Sequence, residues 1–156
     1  MKIHFATTNP NFTLAKHYPD DLGIDIISKV PIEIPPHKTV VVDTGIKITT
    51  IGHLDIQIRT RSSMAASGVF VVNSPATIDP GYTGTLKVIL GNITDEPVFL
   101  HGGIAQLTFV QPAVPEVLLD GNPIQHQRNT QRAERGLGST NKGGYYAKAG
   151  SNTGGH

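Results

Sequence analysis

Leu54-Asp55-Ile56-Gln57-Ile58-Arg59 alternates apolar and polar side chains residue by residue, a period of two that suits a strand with one buried face. Nowhere in the chain does an apolar pattern of 3.6-residue period persist, so the core has to be built from strands. Thr39 to Thr50 is β-branched at most positions, Val69-Phe70-Val71-Val72 is a short apolar run, and Leu86, Val88 and Leu90 alternate with their neighbours. With 17 Gly and 11 Pro punctuating these runs, the expected fold class is all-β: a β-barrel or distorted jelly-roll, whose paired or closed sheets dispose of strand edges. No internal repeat points to a propeller or solenoid.

Along the chain, Asn9-Pro10-Asn11 reads as a turn, and Ile24, Ile26 and Val30 around Asp25 as a short strand. Pro31-Ile32-Glu33-Ile34-Pro35-Pro36 reads as an extended connection leading outward, and Gly52-His53 as a turn. The small residues between Ser62 and Gly68 form a turn or a single helical turn. Val98-Phe99-Leu100, a Gly102-Gly103 turn and a strand from Ile104 to Gln111 follow, and Val114 to Leu119 is expected as a last strand, kept at an edge by Pro115.

A chain of 156 residues fits one folded domain. Residues 1–119 are expected to form it, and residues 120–156 a polar, Gly-rich C-terminal arm and extended tail too poor in apolar side chains to offset its own ordering entropy. The net charge of +1 argues against general or sequence-specific nucleic-acid binding, but it is unevenly placed: 8 Lys and Arg against 10 Asp and Glu in residues 1–119, and 5 against 2 in residues 120–156. A basic tail suits a polyphosphate or a nucleic-acid backbone, or is simply solvated with no partner. The absence of cysteine removes disulfides, thiolate metal sites and a Cys nucleophile, and fits a reducing compartment. No long apolar run crosses a membrane and Met1-Lys2-Ile3-His4-Phe5 lacks the apolar region of a signal peptide, so a soluble cytoplasmic protein is expected.

Candidate chemistry gathers in Asn73-Ser74-Pro75-Ala76-Thr77-Ile78-Asp79-Pro80-Gly81-Tyr82-Thr83-Gly84, which lies between two apolar runs and so reads as the turn region of a β-hairpin. Asp79 stands beside Pro80-Gly81, which hold the backbone tightly, and three residues before Tyr82. Taken alone, a turn Asp most simply bonds its own turn backbone. If the alternating strand continues, Arg61 shares the polar face of Asp55, Gln57 and Arg59.

Five segments in order resemble the motifs of the trimeric dUTP pyrophosphatases, the dUTPase family, over almost the whole chain. Leu22-Gly23-Ile24-Asp25-Ile26 resembles the first, Arg61-Ser62-Ser63-Met64-Ala65 the second, the Asp79 stretch the third, Gly103-Ile104-Ala105-Gln106-Leu107 the fourth, and Arg135-Gly136-Leu137-Gly138-Ser139-Thr140 a shortened fifth. The resemblance implies a homotrimer of the dUTPase type that hydrolyses dUTP to dUMP and pyrophosphate with Mg2+, held mainly by substrate phosphates and water with no direct protein ligand. It implies Asp79 as the base activating water against the α-phosphorus, and Tyr82, whose plain alternative is core packing, stacked under the deoxyribose. Asn73 and the hairpin backbone, Ile78 included, would read uracil. Ser62 and Ser63 would bind phosphate oxygens, Arg61 would pair with Asp25 or contact phosphate, Asp25 would stand behind the metal, Gln106 would contact substrate or the catalytic water, and Arg135, Ser139 and Thr140 would close over the triphosphate.

The sequence departs from that pattern at three places. Gly103 replaces the fourth-motif arginine, whose contact would then come from elsewhere, for instance Arg128 or Arg132; Ser63 replaces a glycine; and Leu137 stands where the family carries the phenylalanine that covers uracil, a role open to Tyr145 or Tyr146. Arg61-Ser62-Ser63 and Ile78-Asp79-Pro80-Gly81-Tyr82 also resemble dCTP deaminase, a relative on the same fold. Its acid/base Glu and helper Arg fall on Ile89 and Ala66 here, however, and an apolar side chain shuttles no proton. A non-catalytic regulator on the same fold is the remaining alternative.

Overall fold

The computed structural model describes residues 1–50 and 53–125. In chain order its elements are β1 (His4–Thr7), β2 (Phe12–Ala15), β3 (Ile24–Ile34), β4 (Thr39–Thr50), β5 (Asp55–Arg59), the short helix α1 (Ser62–Ala66), β6 (Val69–Val71), β7 (Ala76–Ile78), β8 (Thr85–Asn92), β9 (Val98–Val110), β10 (Leu118–Leu119) and β11 (Asn122–Pro123). A four-stranded sheet of order β1-β4-β8-β6 and a five-stranded sheet of order β2-β3-β9-β5-β7 share one core, and β10-β11 is a separate hairpin. Every strand pair is antiparallel. The all-β expectation holds, as a two-sheet arrangement of the jelly-roll kind.

The period-two runs place the core. In β5, Ile56 and Ile58 are buried while Asp55, Gln57 and Arg59 occupy the other face, where Gln57 donates to Asp55 and Arg59 Nε donates to Gln57 Oε1 at 2.9 Å. From the opposite sheet, Leu86, Val88 and Leu90 of β8 are each 0% exposed, a burial that stabilises the fold by about 1.5–3 kcal/mol per side chain. Asn92 ends β8 inside the protein, its amide donating to Ile34 O at 3.0 Å and Glu96 O at 2.8 Å, so this buried polar group is satisfied and ties the end of β8 to the end of β3.

Four expectations are corrected here. The short strand around Asp25 and its outward connection are one strand of 11 residues, β3. Pro31 has no N–H for a ladder, so pairing with β9 lapses between Ser28 and Ile32 and then resumes, and Ser28 Oγ bonds Val30 O at 2.7 Å across the gap. Gly102-Gly103 is no turn, because β9 runs through it for 13 residues; Gly102, at φ 76°, takes a left-handed conformation that bends the strand without ending it, and a bulge sets Gly103 and Ala105 opposite the consecutive residues Ile27 and Ile26. Of the last strand expected from Val114, Leu118–Leu119 alone is strand, turning at Asp120-Gly121 to pair with β11. The central stretch is more than a hairpin turn: β6 pairs with β8 as expected, but between them the chain crosses over and adds β7 to the edge of the five-stranded sheet beside β5. Gly52 and the tail residues Arg128, Arg132, Arg135, Leu137, Ser139, Thr140, Tyr145 and Tyr146 lie outside the described residues.

Candidate active site

Strand register assembles the first part of the site. Asp25 of β3 and Arg59 of β5 both stand opposite Gln106 of β9, one on each side. Two residues past Arg59 the chain turns into α1 with Arg61 at the N-cap in extended conformation, φ −82° and ψ 145°. From there Arg61 reaches back over β9 to Asp25. Nε lies 3.0 Å from Oδ1 and Nη2 2.9 Å from Oδ2, a two-pronged pair of the strong kind. Nη1 donates to Gly103 O at 2.9 Å. The two side chains are 24% and 15% exposed, enough shelter to keep the pair from being screened away.

A glycine makes room in the next contact as well. Gln106 Nε2 donates to Thr60 O at 3.0 Å, and its Oε1 rests against Gly23, where a Cβ would come within 2.5 Å of it. A side chain at Gly23 would push the Gln106 amide aside. These side chains, with Ala15, His17, Asp21, Leu22, Ser62 and Ser63, line a cleft of about 290 Å³. Ser62 and Ser63 are exposed in α1, Asp21 Oδ2 accepts the Tyr18 N–H at 2.9 Å, and His17 Nε2 stands 3.8 Å from Asp25 Oδ2. Among the lining residues two carboxylates face a single guanidinium. Such a cleft binds phosphate oxygens through hydroxyl and guanidinium donors and has carboxylate oxygens left for a hydrated cation.

The third-motif residues lie along the crossover. Asn73 is exposed two residues after β6, the Ser74-Pro75 peptide is cis, and Ser74 Oγ accepts the Thr60 N–H at 3.0 Å. Ile78 ends β7 opposite Ile56. Asp79 follows, partly exposed, and the Tyr82 N–H donates to Asp79 O at 3.0 Å, closing the turn over Pro80-Gly81. Tyr82 is 8% exposed, and its hydroxyl donates to Thr85 O at 2.7 Å, which fixes the ring.

Asp25, Arg61, Ser62, Ser63 and Gln106 therefore meet in one cleft. Asp79 and Tyr82 gather beyond the far end of β5, since Ile78 pairs with Ile56 while Arg61 lies past Arg59. Asp79 is level with Asp55 and the Arg61 cleft with Arg59, so the two stand at opposite ends of β5, on the order of 13 Å apart along the strand. Sequence reasoning missed His17, Asp21 and Thr60, all in irregular segments where no periodicity marks a face. The only signal for Asp21 was an acid four residues before Asp25, and Thr60 acts through its backbone.

The dUTPase family profile matches residues 11–141. A deoxyuridine 5'-triphosphate nucleotidohydrolase of Picosynechococcus sp. is 35% identical over 144 residues, 90% of this chain and 99% of its own. Its counterpart in Hydrogenobaculum sp. is 42% identical over 112 residues, 70% of this chain and 75% of its own. Among solved structures, the native EIAV dUTPase superposes with a TM-score of 0.63 at 26% identity, covering 81% of this chain and 99% of that one. The dUTPase of Streptococcus mutans superposes with a TM-score of 0.59 at 25% identity, covering 75% and 98%. With the motifs in order and the cleft formed by their side chains, the chain belongs to the dUTPase family.

Proposed function

We infer that this member of the dUTPase family hydrolyses dUTP to dUMP and pyrophosphate, and that its named motif residues carry the reaction. The observation that carries the assignment of roles is the Arg61-Asp25 fork, set in a cleft with the hydroxyls of Ser62 and Ser63 and the amide of Gln106. Ser62, Ser63 and the unused N–H groups of Arg61 bind phosphate oxygens. Asn73 and the backbone at Ile78 read the uracil edge, and the fixed ring of Tyr82 lies against the deoxyribose, leaving no room for a 2′-hydroxyl. Asp79 takes a proton from a water whose oxygen bonds the α-phosphorus. The bond from that phosphorus to the bridging oxygen breaks, and pyrophosphate leaves with the electron pair. Gln106 positions the water or a phosphate oxygen, and Arg135, Ser139 and Thr140 close over the triphosphate.

The donor set fits magnesium in the manner of the family. Among the described residues no group of three or more His, Asp or Glu forms a cage, yet Asp25 and Asp21 present carboxylates to the cleft, which suits an ion carried by phosphates and water and touched by protein through its hydration shell. When bound, Mg2+ neutralises phosphate charge and orients the chain of phosphates.

The separation of Asp79 from Arg61 supports a site completed by a second chain, and hence a homotrimer. So does the β10-β11 hairpin, which leaves Leu118 52% and Leu119 69% exposed although a two-stranded hairpin is marginal alone. Among the described residues no helix is long and apolar enough to cross a membrane, and we assign the protein to the cytoplasm. The test is turnover of dUTP by purified protein with magnesium, against dCTP, dTTP and UTP. Pyrophosphate release specific to dUTP is expected; ammonia release from dCTP would favour the deaminase, and no turnover a binding protein.

A further inference from the structure

We propose that Gly103 and Arg61 form one recognition unit, in which the missing side chain at 103 opens the slot that lets a single arginine both lock Asp25 and contact the substrate's phosphates. The fourth family motif carries an arginine where this chain has Gly103. The space is filled by the second-motif arginine: a Cβ at 103 would come within 2.5 Å of Arg61 Cζ and 2.8 Å of Nε. Real Cβ atoms do not approach so closely, so any other residue at 103 displaces the guanidinium. Displacement would break three contacts together, the two to Asp25 and the one to Gly103 O.

A guanidinium has five N–H donors in a rigid plane. Three are used by Asp25 and Gly103 O, which leaves one on Nη1 and one on Nη2. Arg61 lines the cleft beside Ser62 and Ser63, so the two free donors belong to the same surface as the serine hydroxyls. Structural pair and phosphate contact are therefore not competing roles for Arg61. Gly103 is a positioning residue that makes them compatible, and the lost fourth-motif arginine needs no replacement from the tail.

The proposal rests on the phosphate-binding role assigned to Arg61, and a double-mutant cycle separates the two. Wild type, Gly103→Ala, Arg61→Lys and the double variant are compared for dUTP hydrolysis with magnesium, with melting temperature and oligomeric state recorded for each. Gly103→Ala is expected to lower kcat/KM about tenfold or more, as loss of a charge-assisted fork does. In the Arg61→Lys background, which has no planar group to displace, the same change is expected to have little further effect. Additive losses, or a Gly103→Ala enzyme with wild-type kcat/KM, overturn the proposal while leaving the role of Arg61 standing. An Arg61→Lys enzyme with unchanged kinetics refutes the role itself. If Gly103→Ala alone does not fold, a Gly103→Ala, Arg61→Ala double variant must, because the atoms in the way are gone; if Arg61→Ala folds and that double variant does not, the slot is refuted.

Discussion

Subunit mixing gives the most demanding check on how the site is put together. Ile78 pairs with Ile56 and Ala76 with Ile58, so Asp79 stands level with Asp55, six residues of chain from Arg61. The length of β5, on the order of 13 Å along the strand direction, lies between the two ends, whereas a base must stand within ~3 Å of the water it deprotonates. On the proposed shared site, the two residues that serve one substrate come from different chains. In a trimer each site would combine the Arg61 cleft of one chain with Asp79 of the next. Arg61→Ala and Asp79→Asn homotrimers should each be nearly inactive. In an equimolar random reassembly, a site is intact when an Asp79→Asn chain supplies the cleft and an Arg61→Ala chain the aspartate, which occurs at about a quarter of the sites. The chains are unfolded together and refolded, the trimer is verified by light scattering, and pyrophosphate release from dUTP is measured per mole of chain. Recovery near a quarter of the wild-type rate is expected. Mixed trimers no more active than their parents would show that both residues act within one chain, and the reading of the register as a shared site would fail.

Asp79→Asn alone should lower kcat roughly a hundredfold or more while dUTP still binds by calorimetry, as removal of a general base does; equal losses of binding and turnover would make Asp79 structural. Deleting residues 134–156 should slow dUTP turnover far more than it weakens dUMP binding, and a triphosphate analogue, but not dUMP, should protect the chain between Arg128 and Lys142 from trypsin; equal cleavage with and without the analogue would argue against closure by Arg135. Asp43 is the remaining case. Burial raises its pKa, but hydrogen bonds from Thr85 and Gly45 and the charge of Lys87 outweigh that and hold it below the ordinary 3.8. Since the folded value is the lower one, its contribution to stability is present above pH 3.8 and is lost as pH falls through the folded value. Asp43→Asn should therefore flatten the pH dependence of thermal stability below that point and leave the ordering at higher pH to the hydrogen bonds alone; an unchanged acid limb would refute the assignment.

The faces of the strands were legible in the sequence because a strand reports its buried side through alternation, as Ile56 and Ile58 do against Asp55, Gln57 and Arg59. Strand continuity was less legible. Pro31 and Gly102-Gly103 carry the chemistry of breaks, yet the partner strands on either side hold β3 and β9 together through them, and local composition contains no record of that partner. The crossover of β7 to the other sheet was hidden for the same reason, since three residues, Ala76-Thr77-Ile78, pair with a strand that precedes them by some twenty positions. Within the site, residue types announced themselves, and Asp25, Arg61, Ser62, Ser63 and Gln106 do meet. What the motifs did not announce was the space around them: that Arg61 occupies the room beside Gly103 emerges only when β3, β9 and the start of α1 are seen together.

The central place of β9 has a consequence for the order of events as the chain is made. In the five-stranded sheet β9 lies between β3 and β5, so the two walls that carry Asp25 and Arg61 have no ladder to each other. A nascent chain that has reached Glu96 holds both residues and the aspartate loop, but nothing to bring them into register. The cleft comes into being when Val98–Val110 inserts between strands synthesised long before it. Such a topology depends on contacts distant in sequence and folds slowly, and until β9 arrives the inner edges of β3 and β5 stand open to pairing with other chains. Premature termination before Val98 should thus leave an aggregation-prone fragment rather than a weak enzyme.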